Sequence, residues 1–382
     1  MKNAYDIVII GGGIVGCALA FELAKRGRKD ILVIEKEYLT SGATGRCGAG
    51  IRQQWGTVLN ATLARDSIRI FERLEEYTGY DGSCGLRQGG YLILAYTGAE
   101  WEQFQKNYEL QRSLSIPVQR LDPKGAKEIV PHLNTEGLLG AMFCGTDGFA
   151  DPFHCTYAYA KGAMRMGVEI ATYTEVTGLR AADGRIAGVE TTKGCVQADT
   201  VINATGPHAS MITNMLGIDV PILPERHPIL VTEPVNHIQN PMVISFHHHF
   251  YCQQAPHGCF IMGIGDPTEP VSYNIKASWK FLEDCASKVT GALPVLKNIR
   301  IVRQWAGLYD MTPDRNQIID QMKGVEGFYT VAGFSGHGFM VAPKTAIIIA
   351  QSLCGEEPDI DLRLFSADRY KTGELLLEPS VV

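Results

Sequence analysis

Residues 5–10 read YDIVII, a short apolar run of strand type, and Gly11, Gly13 and Gly16 follow at once in the spacing G-x-G-x-x-G. Residues 14–26 then carry apolar side chains on one helical face, and a second apolar run, ILVI, leads into Glu35, nineteen residues beyond Gly16. Strand, glycine turn, helix, strand and acid in this register make a complete βαβ unit for a dinucleotide. Gly11 allows the tight turn, Gly13 lets the backbone approach a pyrophosphate, and Gly16 lets helix and strand pack closely. Ile14 and Val15 open the helix, where unpaired N–H groups and a partial positive charge suit phosphate. Glu35 can hold a ribose hydroxyl, with Lys36 beside it.

A chain of 382 residues is too long for one simple core, so two domains or one elaborated domain are expected. Hydrophobic residues make up 45% and charged residues 20%, as in ordinary globular proteins. The net charge is −6 with no basic run, which argues against a nucleic-acid partner. The longest apolar stretch, residues 7–21, is the fingerprint itself, and its glycines make it a poor membrane span. Asp6 and those glycines also stand where a leader peptide would need its hydrophobic core, so a cytoplasmic protein is expected. The ten cysteines form no C-x-x-C, which predicts reduced thiols and no zinc or iron–sulfur site. Residues 244–252 read as one strand, on which His247, His248 and His249 would alternate between faces and could not converge on one ion. No metal is expected.

Along the chain, residues 41–50 (SGATGRCGAG) form a small-residue loop, and residues 59–78 a helix. Residues 89–95 read as a strand; 100–114 and 122–130 read as helices. Asp151 is a natural N-cap with Pro152 in the first position of the next helix. Residues 168–206 read as successive strands with a hairpin turn at Asp183-Gly184. Residues 221–232 and 259–265 are further strands, and 277–286 a helix. The segment 327–353 repeats the opening logic: a strand, a glycine loop and a helix. Two such units at the ends, with antiparallel-looking strands between, predict an α/β (α+β) fold. Its nucleotide domain would be assembled from segments 1–80, 145–220 and 325–382. A β-rich substrate domain would come from segments 81–144 and 221–324.

The pieces YDIVIIGGGIVG, VIEKE, SGATGRCGAGIRQQWG, VINATGPHA, WAGLYDMTPDRNQIID and GFYTVAGFSGHGFMVAPKTAIIIAQSL together resemble the D-amino-acid-oxidase superfamily of flavoproteins. Within it, the loop GRCGAGIRQQWG looks most like the β subunit of heteromeric sarcosine oxidase and proline dehydrogenase. The resemblance implies FAD and oxidation of an amine beside a carboxylate. It places Ser41, Gly42, Ala43, Thr44, Gly45, Arg46, Gly50 and Ile51 along the cofactor. Val176 would lie at the adenine, and Ala204, Thr205 and Gly206 would also approach the cofactor. The loop Gly333, Phe334, Ser335, Gly336, His337, Gly338 and Phe339 would turn its backbone N–H groups toward negative charge on a reduced flavin.

The same resemblance assigns Arg52 to the substrate carboxylate, which a planar guanidinium grips in bidentate fashion, with Arg46 as the alternative. Tyr251 and Gln253 share a strand face expected to look at the substrate, and His337 would touch substrate or cofactor. Three departures matter. Gly307 stands where monomeric sarcosine oxidase attaches its flavin to a cysteine, so the FAD is expected to be non-covalent. Ile261 and Met340 stand where that oxidase has lysines, one of which promotes reaction with oxygen. A cation there stabilises superoxide, so its loss suggests a dehydrogenase that hands electrons to another subunit of a hetero-oligomer. A true oxidase and a non-catalytic flavin-bearing subunit are the alternatives. A second flavin, FMN at a subunit interface, occurs in such relatives and leaves no mark in these residues. The assembly is expected to be cytoplasmic, with peripheral attachment to the inner membrane as a variant of that reading.

Overall fold

The computed structural model describes residues 1–266 and 268–379; position 267 and positions 380–382, within the expected segments 221–324 and 325–382, lie outside the described residues. The fingerprint folds as its pattern dictates. Strand Ala4–Ile10 runs into helix Ile14–Lys25 and returns as strand Ile31–Ile34, parallel to the first. Strand Gly194–Asn203 pairs parallel on the other side, followed by Phe328–Ala332, while Glu169–Ala171 extends the sheet beyond Ile31–Ile34. Helices Ile14–Lys25, Pro152–Arg165 and Gly338–Leu353 pack together, and Val58–Phe71 packs on Gly338–Leu353. Ile31–Ile34, most of Phe328–Ala332 and the C-terminal ends of Ala4–Ile10 and Gly194–Asn203 bury side chains on both faces, which is why they read as short apolar runs.

The hairpin Val176–Ala182 and Arg185–Thr191 turns at Asp183 and Gly184, both with positive φ of 50° and 75°, the signature of a type I′ turn. It adds antiparallel to the start of Gly194–Asn203 and completes an eight-stranded sheet. The strand Ile318–Gln321, which the sequence reading grouped with segment 221–324, pairs antiparallel with Phe328–Ala332 and belongs to this first sheet.

A second eight-stranded sheet runs in the order Ile301–Met311, Leu223–Thr232, Phe260–Ile264, Phe250–Gln254, Met242–Ser245, Tyr91–Ala95, Gly140–Cys144, Val118–Leu121. Its pairs are antiparallel except Met242–Ser245 with Tyr91–Ala95. Helix Trp279–Ala292 covers it, with Phe281, Cys285 and Val289 buried against Phe250, Cys252, Phe260 and Met262.

Two local readings are corrected. The helix expected over residues 59–78 is broken into Val58–Phe71 and Leu74–Thr78. The strand expected over residues 244–252 is two strands, Met242–Ser245 and Phe250–Gln254, and His247, His248 and His249 form the turn between them. A histidine run has no apolar alternation to hold a strand, and His249 adopts a positive φ of 53°. Among the described residues no group of three His, Cys, Asp or Glu is placed to hold a metal ion, and no helix is long and apolar enough to cross a membrane. All ten cysteines are free thiols.

Candidate active site

The glycine turn of the first βαβ unit is shaped by close contacts on two sides and by open space on the third. A Cβ on Gly16 would sit 2.1 Å from the carbonyl oxygen of Gly11, and one on Gly11 would sit 2.4 Å from that of Ala204. Helix and strands therefore touch backbone to backbone at these two positions. A Cβ on Gly13 would meet only the Thr44 side chain, at 3.0 Å and beyond, and otherwise project into a cavity that Gly13 borders. Helix Ile14–Lys25 carries no side-chain N-cap; the Ile14 N–H donates to Thr44 Oγ1 at 3.2 Å. Glu35, buried at the end of its strand, accepts from the Gly12 N–H at 2.8 Å, the Glu37 N–H at 2.9 Å and the Ser41 hydroxyl at 3.2 Å. The acid is thus fixed beside the glycine turn.

The cavity is bordered by Gly11, Gly13, Ile14 and Val15, by Glu35 and Lys36, and by Ser41, Gly42, Ala43, Thr44 and Arg46. It also touches Val176, Ala204, Thr205, Gly206, Tyr251 and Gly307, and from the C-terminal loop Phe334, Gly336, Gly338 and Phe339. Segments far apart in sequence thus converge on one space. The remaining expected residues do not border it. Gly16 is inside the turn. Gly45 packs against the Thr40 carbonyl, 2.4 Å from its would-be Cβ. Gly50 and Ile51 pair with Phe149 and Gly148. Gly333, Ser335, His337, Arg52 and Gln253 also lie off the cavity wall.

The C-terminal loop is held by a residue the sequence reading passed over. Asp310, at the end of strand Ile301–Met311, accepts from the Gly333 N–H at 2.7 Å, and its carbonyl accepts from the Ser335 N–H at 3.1 Å. Burial pushes its carboxyl up to about 6, although these backbone donors work against the shift. Two amides expected to face the cofactor are therefore committed to Asp310, and Gly336 and Gly338 are the loop glycines left on the cavity. The would-be Cβ of Gly336 falls 2.2 Å from the Tyr309 ring, which itself stacks on His227 at 3.6 Å. The quoted motif WAGLYDMTPD contained Asp310 and Tyr309; a buried acid inside an apolar strand was the signal available.

A second constellation lies around Arg52. The guanidinium is buried, 4.0 Å from the Trp55 ring and 5.6 Å from that of Phe246, and Nη1 donates to the Gln54 carbonyl at 2.6 Å. His337 meets Trp55 edge to face at 4.9 Å. Burial, reinforced by the Arg52 charge, drives the imidazole down to about 3, so it is neutral under ordinary conditions, and its buried Nε2 has no hydrogen-bond partner. Gln253 donates to the Gly48 carbonyl at 2.8 Å, and its buried Oε1 has no partner. Tyr251, on the same strand face, borders the cavity; burial keeps its phenol protonated well above the usual range. Asp147 closes this region from below. It accepts from the Gln53 N–H at 2.9 Å and the Gln54 side chain at 3.0 Å, and burial raises it to about 6.

Cations are placed unevenly. Arg46 borders the cavity and donates to the Ser41 carbonyl at 3.1 Å. Lys36 stands 3.4 Å from His208, another cavity residue, which stacks on Tyr273. Ile261 pairs with Gln253 across the sheet. Met340 lies on helix Gly338–Leu353, and the lysine of that helix, Lys344, is tied to Asp359 at 2.5 Å.

The family model "DAO: FAD dependent oxidoreductase" matches residues 6–352. The chain is 30% identical over 385 residues to sarcosine oxidase subunit beta of Arthrobacter sp, spanning 99% of this chain and 94% of that protein. It is 29% identical to the mitochondrial dimethylglycine dehydrogenase of Rattus norvegicus, covering 97% of this chain and 45% of that protein. Among solved structures it resembles L-proline dehydrogenase from P.horikoshii, with a TM-score of 0.93, 38% identity and 98% and 100% of the two chains covered.

Proposed function

The chain belongs to the DAO family of FAD-dependent oxidoreductases, and from that premise we propose that it oxidises the C–N bond of a small amino acid or N-substituted amino acid and passes the electrons to a partner subunit. The residues present fit FAD. Gly13 leaves open the space where a side chain would intrude, the N-cap of the helix behind it is a glycine with no capping side chain of its own, and Glu35 is fixed alongside. In this reading Gly11, Gly13, Ile14, Val15 and Thr44 hold the pyrophosphate region, Glu35 the ribose, and Gly336 and Gly338 the far end. Bound FAD supplies the acceptor for the electron pair of the broken C–H bond.

The observation that carries the substrate reading is the buried guanidinium of Arg52 among Trp55, Phe246 and His337. A buried cation in an aromatic pocket suits a carboxylate whose remaining surface is small and apolar. Sarcosine, dimethylglycine and proline, the substrates in the names of the relatives, all place an amine beside such a group. Neutral His337 adds no charge to compete with Arg52, and its partnerless Nε2 can meet a polar group of the substrate. Tyr251 offers a protonated hydroxyl to the cavity. None of these groups is required as a base, since the substrate's neutral amine form can be selected by binding.

Transfer to a partner is supported by the sarcosine oxidase subunit beta relatives and by the absence of lysine at positions 261 and 340. One observation favours the oxidase reading instead: Arg46 is a cation on the cavity wall. The test of the substrate role is Arg52→Lys. Flavin bleaching by sarcosine and L-proline under anaerobic conditions is expected to weaken by about 1.5–3 kcal/mol, with FAD content unchanged. Bleaching at the wild-type rate would remove Arg52 from the site.

A further inference from the structure

Resting on the reading of Arg52 as the carboxylate ligand, we propose that Glu378 is a positioning residue for it, delivered by the segment 374–379 across the stretch 52–57. Glu378 is buried, although it lies in an irregular segment beyond the last helical turn. Its carboxylate accepts from the Gly56 N–H at 2.8 Å, the Thr57 hydroxyl at 2.8 Å and the Asn60 side chain at 3.0 Å. Pro379 packs on Gly56, whose would-be Cβ falls 2.4 Å from the proline ring. The segment is anchored one step earlier, where the Leu376 N–H donates to Asp314 at 3.1 Å and its carbonyl accepts from Asn316.

Between Glu378 on one side and Asp147 on the other, the stretch carrying Arg52 has little freedom. Asp147 holds the amides of residues 53 and 54; Glu378 holds residues 56 and 57. Trp55, between them, is fully buried, and its Nε1 donates to the Arg52 carbonyl at 2.9 Å. Loss of Glu378 would free Gly56 and Thr57, and with them the ring against which the guanidinium rests. A carboxylate at the start of helix Val58–Phe71 also stabilises that helix, so stability alone does not discriminate positioning from support.

The discriminating experiment uses Glu378→Ala and the isosteric Glu378→Gln in the FAD-loaded full chain, with Arg52→Lys alongside. The substrate is whichever of sarcosine, L-proline and glycine bleaches the flavin. Glu378→Ala is expected to lose hydrogen-exchange protection at the Gly56 amide, and both Glu378 variants are expected to raise KM by about tenfold, with a much smaller change in kcat and wild-type FAD content. If Arg52→Lys weakens substrate binding while both Glu378 variants keep the wild-type KM, positioning by Glu378 is wrong and the carboxylate role of Arg52 stands. If Arg52→Lys itself leaves KM unchanged, both readings fall together.

Discussion

At the residue scale, the three fingerprint glycines do different jobs, and the difference is measurable. Gly11 and Gly16 press backbone on backbone, so a methyl group there collides with a carbonyl oxygen that has nowhere to move. Gly13 faces the cavity, where a methyl group meets only the Thr44 side chain. Gly13→Ala should therefore fold with wild-type far-UV circular dichroism yet lose most of its flavin absorbance, whereas Gly16→Ala should lose stability as well. Equal flavin content in wild type and Gly13→Ala would show that the pyrophosphate does not pass this turn. His337 permits a second prediction. Its folded value of about 3 lies below the ordinary 6.5, so the unfolded chain binds the proton first as the solution is acidified. Its contribution to stability is intact above pH 6.5 and is lost progressively as pH falls toward 3, by up to about 1.4 kcal/mol per unit. Asp310 and Asp147, each raised to about 6, act oppositely: acidification through 6 toward 4 relieves their buried charge. The comparison of wild type with His337→Gln removes that background. Urea unfolding from pH 7 to 4 should show the variant losing less stability on acidification, and parallel curves would refute the buried neutral imidazole.

At the element scale, the parallel centre of the first sheet was legible because its strands carry apolar runs, and Ala4–Ile10, Gly194–Asn203 and Phe328–Ala332 each end in glycine or a small-residue turn while Ile31–Ile34 ends in an acid. The second sheet was harder. Strand Ile301–Met311 is half exposed and contains Arg303, Gln304 and Asp310, so its pattern is neither alternating nor continuous; long pairing with Leu223–Thr232 fixes it instead. The short strand Gly50–Ile51 exists only because Gly148–Phe149 lies beside it, and no local pattern announces that. The site divides in the same way. The glycine turns themselves were readable, since turn chemistry is local. Asp310, Asp147 and Glu378 act on loops 23 to 322 positions away, and a single acid gives no sign of which amides it will meet. Asp314 belongs with them. Burial pushes its carboxyl up, but the bidentate hydrogen bonds of Arg369, at 2.7 and 3.1 Å, win and hold it below the ordinary range. Both side chains are almost wholly buried, at 3% and 0% exposure. Arg369→Met, which removes the cation and leaves the buried carboxylate with only neutral donors (among them the Leu376 and Asn316 N–H groups and the Tyr370 hydroxyl), should cost about 3–5 kcal/mol in chemical denaturation. A loss below about 1 kcal/mol would mean that solvent reaches the pair.

At the scale of the whole molecule, the layout of charge bears on where the electrons go. A dehydrogenase working through a partner gains from a flavin site that resists oxygen, and oxygen reduction is helped by a fixed cation near the ring. Helix Gly338–Leu353 offers Met340, and its Lys344 is held by Asp359. Strand Phe260–Ile264 offers Ile261. The cations left on the cavity are Lys36, beside Glu35 and next to His208, and Arg46, hydrogen-bonded to the Ser41 carbonyl and packed near Gly307. Arg46 is the one that could assist oxygen. The isolated chain, bleached anaerobically by its amino acid, should therefore regain its yellow colour slowly in air-saturated buffer and quickly with an artificial electron-accepting dye. Arg46→Met should slow the recovery in air further while leaving recovery with the dye in place, because only the oxygen reaction needs the cation. Prompt recovery in air with one peroxide per substrate would make the protein an oxidase. If Arg46→Met then abolished that recovery, the guanidinium would be the cation that assists oxygen.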